Sequence, residues 1–119
     1  MLMQLTRREG ESVIMPEDVW ELARGEQIIA RLVVTGSDFP WLHARLNPQD
    51  GFDDVRPMFE DELRLLDQLD DHIPAWEAVY QQIRQTVTLI KPDRRAVPEF
   101  LLHIDGRQAW WRWSDTPFQ

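Results

Sequence analysis

Two alternations divide the chain. Between about residues 19 and 46, and again between 87 and 114, apolar side chains recur at every second position, the period of a half-buried strand. Between residues 55 and 85 they recur every three or four positions, the period of an amphipathic helix. In the first region, residues 12–15 and 19–23 read as short strands, although Pro16, Glu17, Asp18 and Glu21 would also suit a short helix over 16–24. Arg24-Gly25-Glu26-Gln27 is a hairpin turn into the β-branched run 28–35. Residues 36–41 form a loop, because Pro40 lacks a ladder donor and restrains Phe39. An extended segment resumes at 41–46, before the turn-forming residues 47–51.

The middle is helical. Val55, Met58, Phe59, Leu63, Leu66 and Leu69 form one stripe, which places Glu60, Asp61 and Glu62 on a solvated face. A second stripe comprises Ile73, Trp76, Val79, Tyr80 and Ile83. Asp70 and Asp71 are unfavourable at the negative end of a first helix and favourable as caps of a second, which sets a break near Asp71. Two helices are therefore expected, at about 55–69 and 73–85.

The last third is a strand at 87–91 and a hairpin, 99–104 and 109–114, around Asp105-Gly106-Arg107-Gln108. Whether the turn centres on Asp105-Gly106 or Gly106-Arg107, Phe100, Leu102 and Ile104 share a face with Ala109, Trp111 and Trp113. The other face carries Glu99, Leu101, His103, Trp110 and Arg112. Strands, two helices, then strands predict an α+β domain over residues 1–119: an antiparallel sheet of about five to six strands, with both helices packed on one face and a C-terminal β-hairpin.

Composition sharpens this picture. The 119 residues contain no cysteine and no apolar run that approaches the ~20 residues a membrane-spanning helix needs. Packing alone must stabilise the chain, and a cytoplasmic location with no membrane partner is expected. The net charge is −8, and residues 50–77 hold ten acids against Arg56 and Arg64, so this segment alone accounts for it. Such a pole repels phosphates, which argues against nucleic acid, and attracts basic partners.

Candidate chemistry is sparse. Ser12, Ser37 and Ser114 lack a nucleophile-elbow context, and His43, His72 and His103 lack metal-ligand spacing. Asp50-Gly51-Phe52-Asp53-Asp54 is not a calcium loop, and the five glycines form no phosphate cradle. No cofactor, metal or catalytic residue is assigned. Leu5-Thr6-Arg7-Arg8-Glu9-Gly10-Glu11-Ser12 resembles the opening strand and turn of carbon storage regulator proteins, small β-proteins that bind messenger RNA. That resemblance would put Leu5, Thr6 and Arg7 near RNA. It stops there: Gln4 interrupts the pattern, and the basic C-terminal stretch of that family has no counterpart.

The six tryptophans are the most unusual feature. Trp76, Trp111 and Trp113 lie on apolar faces, whereas Trp110 alternates outward beside Arg112 and His103. The expected function is a non-catalytic interaction domain that binds a protein or itself, as a homodimer, through this aromatic sheet face or the acidic helical face. Trp110, Arg112, His103, Trp41 and Phe39 are its candidate surface. The alternative is a small-ligand site or enzyme near residues 36–41, with His43 or His103 as acid/base and Arg112 as anion anchor.

Overall fold

A computed structural model describes residues 19–116. The proposed strand at 12–15, residues 16–18 and the stretch at 5–12 lie outside the described residues. Six strands form one antiparallel sheet: β1 (Val19–Arg24), β2 (Gln27–Asp38), β3 (Trp41–Pro48), β4 (Thr88–Ile90), β5 (Glu99–Asp105) and β6 (Gln108–Ser114). Their spatial order is β4-β1-β2-β3-β6-β5. Between β3 and β4 come a short 3₁₀ turn (Phe52–Asp54), α1 (Arg56–Leu66) and α2 (Leu69–Thr86), and the two helices pack against the sheet. The architecture is mixed α+β, as the two periodicities require.

Two-residue turns close both short hairpins, at Gly25-Glu26 and Gly106-Arg107. Each places its glycine first, at φ +61°, a region open to glycine and strained for other residues. With Asp105 opposite Gln108, Gly106-Arg107 is the turn centre, and the face assignment of Phe100, Leu102, Ile104, Ala109, Trp111 and Trp113 follows. Residues 19–24 are strand, not helix. The expected loop at 36–41 is much shorter: Gly36, Ser37 and Asp38 stay paired with β3 across a bulge, which leaves Phe39 and Pro40, joined by a cis peptide, as the turn.

The sheet is coiled around its apolar face. Trp20 on β1 and Trp111 on β6 are three strand steps apart, about 14 Å in a flat sheet. Their rings meet edge to face at 5.3 Å, and Trp20 also meets Trp113 at 5.4 Å. Leu22, Leu32, Leu46, Leu89 and Leu102 are fully enclosed in the same core, which Phe52, Val55 and Phe59 join from the 3₁₀ turn and α1.

The helices meet the sheet at β5, whose outer edge would otherwise present unpaired backbone groups. The Tyr80 hydroxyl answers that edge. It donates to the Phe100 carbonyl and accepts from the Leu102 amide, both at 2.8 Å. Burial holds its phenol well above the ordinary tyrosine range.

Three expectations for the helices are corrected. Glu62 is not solvated but fully buried, between Phe59 and Leu65 on the inward stripe. Ile73, assigned to the second stripe, is 47% exposed. Asp70 and Asp71 lie in the first turn of α2 and make no side-chain cap; the non-helical residue is His72, two before Pro74. On the outer face of α1, Arg64 pairs with Asp61 at 3.1 Å.

Candidate functional site

The sheet surface opposite the core runs His43–Trp110–His103 across β3, β6 and β5 in direct cross-strand register. The two ends of this row have different fates. His103 is only 4% exposed, because α1 and two indoles cover it. Trp41 and Trp110 lie with ring centroids 5.7 and 5.5 Å from its imidazole. Below them, Nδ1 of His103 stands 2.9 Å from one oxygen of Glu62, and the Trp76 indole N–H donates to the other at 2.7 Å. The Glu62 carboxylate thus has both oxygens engaged by ring nitrogens from β5 and α2. A buried acidic group needs such partners to remain folded inside.

A carboxylate beside an imidazole has the composition of an acid–base pair. General acid–base work also requires that the pair reach a substrate proton. Glu62 has no exposed surface and His103 almost none, so this network clamps α1, α2 and β5 together. Spacing alone could have revealed that Glu62 is buried: it falls three residues after Phe59 and three before Leu65. Its charge argued the other way.

His43 is exposed, at the open end of the row. It lines a shallow groove of about 490 Å³ with Thr35, Arg45, Arg107, Gln108 and Trp110. No helical residue lines this groove. Arg45 and Arg107 make no ion pair among the described residues, whereas Glu21, Asp53, Asp54 and Asp61 are each paired with an arginine. Trp110 is half-buried, with one side on His103 and the other on the groove.

Of the remaining candidate residues, Phe39 is 96% exposed at the β2–β3 turn, Trp41 is half-buried and Arg112 is exposed. These three line a second groove, of about 710 Å³, against Trp20 and Trp113. Neither His43 nor His103 lines it, so the structure does not bring together the acid/base and anchor groups envisaged near residues 36–41. The candidate surface therefore divides: Trp110 faces one groove, Phe39, Trp41 and Arg112 another, and His103 lies beneath.

Among the described residues no group of three or more metal-ligating side chains assembles, and no helix is long and apolar enough to cross a membrane. Comparison with protein-family models, with curated proteins and with solved structures finds no match to this chain.

Proposed function

We propose that the protein is a non-catalytic recognition domain that holds an acidic protein segment across the outer face of its sheet. The observation that carries this reading is the groove at Trp110, where two arginines without ion-pair partners among the described residues and an exposed histidine surround a half-buried indole. Tryptophan and arginine at a surface cleft are the residue types that dominate binding energy at interfaces. The indole offers apolar area that costs little entropy to fix, and the guanidinium forks match carboxylates bidentately. Beneath the indole, His103 is held by Glu62 and packs against Trp110. Preorganisation of this kind lowers the ordering cost of association.

The test is calorimetric titration of the full chain with a synthetic peptide of alternating Glu and Leu, beside a Lys and Leu control. The acidic peptide binds, and binding weakens as salt rises. Trp110→Ala removes about 2 kcal/mol, roughly thirtyfold in affinity. Arg45→Glu with Arg107→Glu abolishes the signal. Equal binding of the two peptides, or undiminished binding by the double variant, would overturn the reading.

A further inference from the structure

The groove has a complement on the same molecule. At the corner between α1 and α2, Asp67, Asp70 and Asp71 are exposed and make no ion pair among the described residues. Two residues on stands Ile73, which with Phe39 is one of two large hydrophobic side chains left exposed among the described residues. The corner thus carries three exposed carboxylates, with an exposed aliphatic side chain close by in sequence. The groove is Arg45, Arg107 and His43 around an indole. The two surfaces are opposite in charge, and each carries an apolar side chain.

The corner does not fill its own groove, since the groove's lining comes entirely from β2, β3, β6 and the β5–β6 turn. We infer that the acidic segment this groove takes is the α1–α2 corner of a second copy of the chain, with Ile73 against Trp110 and the Asp67, Asp70 and Asp71 carboxylates against Arg45 and Arg107. This rests on the recognition reading above and names its partner. The contact joins unlike surfaces, so each copy carries one donor corner and one acceptor groove. Charge complementarity of this kind steers encounter and fixes register, and it weakens as salt screens it.

The experiment is sedimentation of the full chain at low and high salt, for wild type and three variants. Wild type self-associates at low salt and dissociates as salt rises. Arg45→Glu/Arg107→Glu has a reversed groove, Asp70→Lys/Asp71→Lys a reversed corner, and each alone is monomeric. Mixed, they associate again, because each retains the surface the other has lost. Asp70→Asn/Asp71→Asn removes charge with less strain on the helix start and weakens association about tenfold or more; circular dichroism confirms that each variant is folded. A monomeric wild type at low salt, or a mixture that stays monomeric, overturns the inference. If the Glu–Leu peptide still binds the groove in that case, recognition stands and only the second copy falls as partner. If the peptide also fails, recognition itself falls.

Discussion

Glu62 should be the least replaceable polar residue of the domain, and the structure fixes how much each replacement costs. Its carboxylate is fully buried and takes both the Trp76 indole N–H and the His103 ring nitrogen. Glu62→Leu approximates its volume and removes both acceptors. A buried ring nitrogen on His103 and a half-buried N–H on Trp76 are then left unpaired, the first with a desolvation penalty of about 1–3 kcal/mol and the second with less, for a total of roughly 2–5 kcal/mol. A domain of this size has about 5–15 kcal/mol in all, so the variant sits near the edge of folding. Glu62→Ala adds a cavity on top of the same two orphans and should be worse. Glu62→Gln retains one acceptor oxygen for Trp76 and presents an N–H to a His103 tautomer that can accept, so it costs about 1 kcal/mol.

The decisive arm tests whether the damage comes from orphaned donors or from a lost charge. Glu62→Leu combined with Trp76→Phe and His103→Leu removes donors and acceptor together. A buried polar set replaced whole by apolar residues is often near neutral, whereas removal of one partner is strongly destabilising. The triple variant should therefore be more stable than Glu62→Leu alone, a non-additivity of at least about 1 kcal/mol. Urea unfolding followed by tryptophan fluorescence and far-ultraviolet circular dichroism reads each value. If Glu62→Leu is as stable as wild type, or the three changes simply add, the clamp does not exist as described.

Tyr80→Phe leaves the Phe100 carbonyl and Leu102 amide unpaired at the β5 edge, a loss of about 2–3 kcal/mol, and hydrogen exchange at the Leu102 amide should accelerate sharply. The same hydroxyl sets an alkaline limit: its folded-state affinity for the proton is raised, so above the unfolded tyrosine value near pH 10 the unfolded chain loses a proton that the folded one keeps. Stability then falls by about 1.4 kcal/mol per pH unit beyond pH 10, a slope that should be shallower in Tyr80→Phe. Gly51→Ala should destabilise more than Gly106→Ala in thermal unfolding. Both have positive φ, but only at Gly51 would a Cβ come within 3.1–3.3 Å of Gln27 and Ile29 atoms.

What the sequence made legible, and what it hid, divides along one physical line. Where local chemistry decides, the reading carried through. Gly106 sets the last hairpin, and once that turn is placed, period two assigns every side chain of β5 and β6 to its face. The irregularity was expected near Asp71 from capping and lies at His72, two residues before Pro74, without a side-chain cap. Where a second element decides, the same rules misled. Glu62 belongs to the stripe of Phe59 and Leu65 by position but to the solvated face by charge. The sequence holds no local sign that Trp76 and His103, fourteen and forty-one residues away, would engage it. Gly36, Ser37 and Asp38 read as loop because nothing nearby shows that β3 pairs with them.

The candidate surface fell to the same long-range effect. Trp110, His103 and Arg112 do share a sheet face, as alternation requires, but a common face is not a common exposure. At β5 the face is roofed by α1, so His103 is buried. At β3 it is open, so His43 and Arg45, two strands away from His103, complete the groove beside Trp110 instead. Trp110 stands at the boundary between roofed and open sheet, which is why it is half-buried. An aromatic ring held by a buried clamp on one side and bordered by arginines on the other suits the proposed recognition role. Loosening the clamp should therefore weaken binding even where it spares the groove. A folded Glu62→Gln variant should bind the Glu–Leu peptide several-fold more weakly, with its salt dependence unchanged because Arg45 and Arg107 are untouched. Unaltered affinity in that variant would mean that Trp110 needs no support from below.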